Sequence, residues 1–166
     1  MLHDAATAEC LVYTFREGLL SAVGHDLCLR VERFGVEITG DASAPSILAR
    51  FDAASLRVTG DVSPADARKI EGHAAGDVLA ARKFPTIELR STRVVRDGER
   101  ARVEANLTLH GATRPIAFDA VADASDWRAE VRLDQRDFGI KPFTAMLGAL
   151  RVRPDVLVRV RVPRSG

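Results

Sequence analysis

Residues 105–120 read ANLTLHGATRPIAFDA, and the pattern of this stretch predicts the fold. Apolar and polar residues alternate on both sides of His110-Gly111, a pattern typical of two β-strands joined by a tight turn. The apolar positions are odd-numbered before the turn, as at Leu109, and even-numbered after it, as at Ile116. Opposed residues of an antiparallel pair face the same side of the sheet, so the loop must contain an even number of residues. The stretch predicts a hairpin with the loop His110-Gly111 or a four-residue loop over 110–113.

The turn itself explains the residues within it. Gly111 can adopt backbone conformations that most residues resist, and a tight hairpin turn requires them. Pro115 falls on the outward face near the start of the second strand, where a missing N–H group is tolerable. The hairpin therefore accounts for His110 without a catalytic role.

The same alternation recurs along most of the chain and predicts an all-β fold. Each strand has one apolar and one polar face, which is typical of an antiparallel sheet wetted on one side. About eight such strands must close into a barrel or fold into a sandwich to cover their apolar side. The alternating runs are residues 27–31, 47–51, 87–89, 101–109, 116–120, 127–134 and 156–162.

Residues 63–80 are the exception and predict a helix. The run Ser63-Pro64-Ala65-Asp66 has a capping serine, a proline in the first turn and an acidic residue three positions after the cap. Gly72 and Gly76 weaken the segment, so we expect two short helices or a broken one. A second short helix is predicted over residues 143–147.

Composition excludes several classes of protein. The chain has 166 residues, of which 46% are hydrophobic, so it can bury the core of one domain. Its net charge of +1 argues against a protein that binds nucleic acid or an anionic membrane. No apolar run predicts a transmembrane segment, and no secretory signal is recognised, so we expect a cytoplasmic protein. Cys10 and Cys28 are expected to be reduced thiols.

Several segments of this chain resemble one known family. The run LTLHGATRPIAF (107–118) is similar to a motif of the YceI-like family of polyisoprenoid-binding, lipocalin-like proteins. The segments HAAGDVLAARKFPTIELRS (73–91) and DFGIKPFTAMLGALRV (137–152) match two further family elements in the expected order. The opening GLLSAVGHDLCLRV (18–31) is similar to an early strand of the family. The resemblance covers about residues 9–163.

The resemblance implies an eight-stranded antiparallel lipocalin-like barrel with one or two short helices, forming a single domain over residues 1–166. Such a barrel has an apolar lumen that can take a long isoprenoid or another amphiphile. The resemblance implies no known enzymatic activity. We therefore expect a non-catalytic protein, without cofactor or metal, that binds, transports or sequesters a lipid. Many family members are secreted, and the aromatic content here is only 5%, so the lumen is expected to be narrower or to suit a different lipid. A homodimer is also expected, because a second copy could cover an apolar edge or mouth.

Inward apolar residues are the candidate ligand wall, although the same residues could simply fill a packed barrel. Five inward alanines favour a ligand, because small walls leave space that an alkyl chain could fill at about 0.8 kcal/mol per buried CH₂. These are Ala49, Ala101, Ala105, Ala120 and Ala129. The candidate wall residues are Leu27, Leu29, Phe51, Ile87, Leu89, Leu107, Phe118, Trp127, Val131 and Phe138, with Phe143, Met146 and Leu147 as a cover at one end.

Polar residues allow two other interpretations. His25-Asp26, with His110, could serve a hydrolase or bind a metal, but neighbours on a strand face opposite ways unless Gly24 supplies a bulge. His73 and Asp77 lie four residues apart, yet no further Cys or His cluster completes a zinc site, so a solvated helical pair is favoured. His3 is expected in a mobile terminus. A second alternative is a packed barrel that acts as a protein-interaction module.

Outward arginines such as Arg159 and Arg161 do not indicate a nucleic-acid surface. Acidic residues lie among them, and Trp127 and Phe118 fall on the apolar face instead of forming an outer stacking platform. A solvated outer surface explains this pattern.

Overall fold

A computed structural model describes residues 1–17, 26–145 and 150–164. Within these residues twelve strands form one sheet, and all of their pairings are antiparallel. The strands are β1 (Leu2–Asp4), β2 (Glu9–Glu17), β3 (Leu27–Val31), β4 (Phe34–Asp41), β5 (Ala44–Asp52), β6 (Leu56–Val58), β7 (Thr86–Asp97), β8 (Arg100–Leu109), β9 (Ala112–Ala122), β10 (Asp126–Asp134), β11 (Thr144–Ala145) and β12 (Leu150–Pro163). Their order across the sheet is β1-β4-β5-β7-β8-β9-β10-β12-β2-β3-β6, and β11 pairs with β12. The predicted all-β antiparallel architecture is confirmed, and the sheet is strongly curled.

The hairpin of β8 and β9 confirms the shorter of the two predicted loops. Leu109 pairs with Ala112, so the loop is His110-Gly111 alone. Both loop residues have positive φ, 54° at His110 and 75° at Gly111, as a type I′ turn requires. Pro115 is exposed and pairs with Asn106, which places it on the outward face as predicted.

The predicted count of eight strands is not confirmed, because two long strand paths are interrupted and two short strands, β1 and β11, are added. Only Glu32 and Arg33 separate β3 from β4, and residues 53–55 separate β5 from β6. Ser55 is fully buried at the second break. Its Oγ accepts a hydrogen bond from the Arg33 backbone N–H at 3.1 Å and donates one to the Asp52 carbonyl at 2.8 Å. These side-chain bonds take the place of ladder bonds where both strands bend.

The first strand was not predicted. His3 pairs with Val36 across β1 and β4 and is only 5% exposed. The expectation that His3 lies in a mobile terminus is therefore wrong, because its backbone is tied into the sheet.

The predicted helical segment is present, but its backbone stays helical from α1 into the next turn, so the expected break is not seen. Helix α1 (Pro64–His73) is capped by Ser63, whose Oγ accepts a hydrogen bond from the Asp66 N–H at 3.2 Å. A π-helical turn over Ala74–Val78 follows directly. The second predicted helix is wrong where it can be checked, since Thr144–Ala145 is strand β11; Met146 and Leu147 lie outside the described residues. A short 3₁₀ helix occurs instead at Gln135–Phe138. None of the described helices is long and apolar enough to span a membrane.

Opposite ends of the curled sheet carry different connections. Helix α1, the π-helical turn and the β8–β9 turn lie at one end, where Leu79, Ile87 and Leu109 belong to one apolar cluster. We call this the helix end. The hairpins β4–β5, β7–β8 and β9–β10 turn at the opposite end, which we call the hairpin end. Buried apolar residues form three separate clusters.

Candidate ligand cavity

The inner face of the sheet lines a cavity of about 1760 Å³ that is partly open to solvent. Its wall follows from strand alternation, because every second residue of a strand faces inward. On β12 the inward positions are Val156, Val158, Val160 and Val162, and all four line the cavity. Val156, Val158 and Val160 are only half-buried, although they lie on the inner face of the sheet. The opposite walls therefore do not meet, and the interior is not filled by side chains.

Most of the predicted wall residues lie where alternation placed them. The wall includes Leu27, Leu29, Phe51, Ile87, Leu89, Leu107, Phe118, Trp127, Val131 and Phe143. Four of the five inward alanines also line it, namely Ala49, Ala101, Ala120 and Ala129. Ala105 faces the same side but is 2% exposed and packs in a cluster with Val94 and Val103. Met146 and Leu147 lie outside the described residues.

Phe138 does not line the cavity, which corrects its placement in the predicted wall. It is 2% exposed and packs with Leu107 and Ile140 at the helix end. It belongs to the 3₁₀ helix, not to a strand, so the alternation rule does not apply to it. Its carbonyl oxygen lies 3.2 Å from His110 Nδ1, and because a carbonyl can only accept, Nδ1 is the donor.

Polar residues line the two ends of the cavity. At the hairpin end, Arg96 lies over the Trp127 ring at 5.1 Å from its centroid. At the helix end, the π-helical turn is preceded by His73, whose ring contacts Phe143 at 4.8 Å between centroids. The Phe143 carbonyl accepts a hydrogen bond from Val152 N–H, and Val152 pairs with Arg16 of β2. Arg16 therefore lies at the helix end, and it also lines the cavity.

A model of the YceI-like domain matches residues 20–163. The chain belongs to the YceI-like domain family. A UPF0312 protein of Pseudomonas putida is 35% identical over 79 residues, which are 41% of each chain. A UPF0312 protein of Vibrio cholerae is 30% identical over 110 residues, which cover 55% of this chain and 58% of that one. The matched region thus spans about two-fifths to three-fifths of the length of these curated relatives.

Solved structures share the fold of this YceI-like domain. Burkholderia cenocepacia BcnA matches with a TM-score of 0.74 and 15% identity, covering 98% of this chain and 99% of that chain. A polyisoprenoid binding domain from Saccharophagus degradans, implicated in plant cell wall breakdown, matches with a TM-score of 0.62 and 14% identity, covering 98% and 97%. The fold is therefore that of proteins that include a polyisoprenoid-binding domain.

The histidines of this YceI-like domain do not form a shared site within the described residues. His110 packs on Phe84 at 4.9 Å between ring centroids and lies in the β8–β9 turn. His73 Nδ1 contacts Asp77 Oδ2 at 2.6 Å, and both side chains are exposed, as the prediction of a solvated pair requires. His25 lies outside the described residues. No group of three or more His, Cys, Asp or Glu residues suited to a metal ion occurs in the described part of the chain.

Asp26 makes a contact that anchors a strand, which is the interpretation of this residue that the sequence favours over a catalytic one. Its Oδ1 accepts a hydrogen bond from the Arg16 backbone N–H at 3.0 Å. This contact fastens the start of β3 to the end of β2, as expected of a residue that anchors a strand at the mouth of the cavity.

Both cysteines are free thiols, which confirms the prediction. Cys10 lines the cavity and is 1% exposed, and it packs in the cluster that contains Val31 and Phe34. Burial, followed by the charge of Glu9, raises the pKa of the Cys10 thiol to about 12. At neutral pH it is a small apolar wall residue and not a nucleophile.

Proposed function

We propose that this YceI-like domain binds a polyisoprenoid or another long amphiphilic lipid in its cavity, for transport or sequestration, without catalysis. The observation that carries the proposal is the cavity of about 1760 Å³ with valines, leucines, phenylalanines and alanines along its wall. Pockets for drug-sized ligands measure roughly 300–1,000 Å³, so this cavity suits a larger occupant.

The energetics favour an apolar chain as that occupant. Burial of each CH₂ group contributes about 0.8 kcal/mol, and the inward alanines leave the room that a chain needs. A small-molecule enzyme would instead need convergent polar groups deep in the wall. The apolar residues that line the cavity are proposed as the ligand contacts, and the curled sheet as a lipocalin-like barrel whose residues 1–166 act as one domain.

Two alternatives have weaker support. A hydrolase that uses His25, Asp26 and His110 would need these residues to converge, but His110 is held against Phe84 and the Phe138 carbonyl. A packed interaction module would need an interior without space, and the cavity volume argues against it. A cytoplasmic location and a homodimer stay predictions.

The test is to identify what the protein carries. Native mass spectrometry of protein purified from cells, followed by solvent extraction, should release an apolar ligand at close to one per chain. Delipidated protein should then bind a lumen-sensitive fluorophore and release it when geranylgeraniol is added. If no ligand is extracted and geranylgeraniol does not displace the fluorophore, the proposal fails.

A further inference from the structure

One positively charged residue lies on the inner face of β2 at the helix end. Cys10, Val12, Thr14 and Arg16 alternate along this strand, and all four line the cavity. The Arg16 side chain keeps 23% of its surface exposed. The guanidinium of Arg16 therefore lies at the end of this inner strand face, at the helix end of the cavity.

The guanidinium of Arg16 has unmet hydrogen-bond donors. Its Nε and Nη1 are buried and have no hydrogen-bond partner among the residues that the structure describes. Asp26 Oδ1 lies 3.7 Å from Nε, which is too far for a hydrogen bond, and it already accepts one from the Arg16 backbone. Asp26 is also 61% exposed, so water screens its attraction. Buried donors of a cation that lack an acceptor are costly, and a ligand oxygen would relieve that cost.

The other arginines that line the cavity already have protein oxygens as partners. At the hairpin end and on β12, each has a protein oxygen within 3.4 Å. The pairs are Arg96 with the Gly98 carbonyl, Arg128 with Asp123, Arg151 with Glu17 and Arg164 with Glu99. Within the described part of the wall, Arg16 is thus the arginine whose buried donors are left over for a ligand.

The start of α1 is a poor position for an anion. Asp61 and Asp66 line the cavity there together with Lys69, and Ser63 Oγ already accepts the Asp66 N–H. Two carboxylates and one ammonium leave this part of the wall with a net negative charge, which disfavours an acidic headgroup. The favourable position is therefore on the β2 side of the helix end, at Arg16.

We propose that Arg16 receives an anionic oxygen of the ligand headgroup, such as that of a phosphate monoester, while the apolar chain extends towards the hairpin end. The inference rests on the proposed function and adds selectivity to it. The domain then prefers an acidic amphiphile over a neutral alcohol that has the same chain.

The test compares geranylgeranyl phosphate with geranylgeraniol, which differ only in the headgroup. Both displace a lumen-sensitive fluorophore from delipidated protein, and their dissociation constants are measured for the wild type, Arg16→Gln, Arg16→Lys and Arg96→Gln. The wild type should prefer the phosphate by about tenfold or more, as expected for hydrogen bonds to a charged group. Arg16→Gln should lose this preference and keep its affinity for the alcohol within about twofold. Arg16→Lys should retain part of the preference, and Arg96→Gln, at the other end, should retain all of it.

The outcomes separate the inference from the function on which it rests. If neither compound displaces the fluorophore, the proposed function fails. If both bind but Arg16→Gln keeps the preference, or loses affinity for both equally, the cavity binds lipids and the role of Arg16 is overturned. Inorganic phosphate distinguishes a headgroup from a free anion: it should not compete with geranylgeranyl phosphate at equal concentration, and competition that depends on Arg16 would overturn the lipid assignment. Circular dichroism should show that all variants are folded.

Discussion

Gly111 lies directly against the ring of Phe84, and a Cβ atom at position 111 would be 2.6 Å from Phe84 Cε1. The same ring packs on His110, so the whole β8–β9 turn is held against the segment that follows the π-helical turn. Gly111 thus has two reasons to be glycine, its positive φ of 75° and this close approach.

Gly111→Ala should therefore destabilise the protein by about 2–4 kcal/mol. The left-handed conformation costs an alanine about 1–2 kcal/mol, and overpacking against Phe84 adds about as much again. Urea unfolding followed by circular dichroism measures the change. Gly98→Ala is the matched control, because Gly98 also has a positive φ. Apart from its chain neighbours, no atom of the described residues lies within 4 Å of where its Cβ would be, so only the conformational cost of about 1–2 kcal/mol should appear. Equal losses for the two variants would contradict a role for Phe84.

A large side chain on the inner wall should block ligand binding. Ala120 lines the cavity and pairs with Ala101, so Ala120→Phe would place a ring in open space and not in a packed core. We expect affinity for geranylgeraniol to fall by about tenfold or more, with little change in the free energy of unfolding. Ala117→Phe is the control, because Ala117 is exposed on the same strand and should leave binding unchanged. Equal affinities for the two variants would argue that the ligand lies outside the cavity.

Acid should weaken the β9–β10 turn through Asp123. Backbone N–H groups of Ser125 and Asp126, with help from the Arg128 charge, lower the pKa of the Asp123 carboxyl from 3.8 to about 2. A lowered folded-state pKa means that the stabilisation is complete above about pH 4 and is lost as the pH falls towards 2. Asp123→Ala should therefore lower Tm at pH 7, and its difference from the wild type should shrink between pH 4 and pH 2. A difference that stays constant down to pH 2 would contradict this assignment.

The two thiols should react with iodoacetamide at very different rates. Cys10 is 1% exposed and its thiol pKa is raised to about 12, whereas Cys28 is partly exposed. At pH 8 in the native state we expect mass spectrometry to find Cys28 modified and Cys10 protected. In concentrated urea both should react. Modification of native Cys10 at the rate of Cys28 would show that the wall around it opens readily.

Local pattern predicted those parts of the fold that local geometry determines. The parity of residues 105–120 limited the β8–β9 loop to two or four residues, because each strand residue alternates faces. The same rule placed Trp127 and Val131 on the inner wall, as the structure does. The capping pattern at Ser63 located the start of α1 to the residue.

Features that depend on distant contacts could not be read in this way. The break at residues 53–55 depends on Ser55 bonding to Arg33 and Asp52, which no pattern in the sequence reveals. Phe138 was misplaced because it lies in a 3₁₀ helix, where strand parity has no meaning. Arg16 was missed although the alternation from Cys10 through Thr14 continues to it, because a charged residue breaks the apolar pattern by which inward positions are recognised.

An interior that side chains do not fill affects how this molecule responds to hydrostatic pressure. Hydrostatic pressure favours the state of smaller volume, and unfolding eliminates unfilled internal space. The cavity is partly open, so only the part of its about 1760 Å³ that the apolar wall keeps free of water should make the empty domain sensitive to pressure. A bound lipid would occupy that space, so the loaded domain would resist compression that unfolds the empty one.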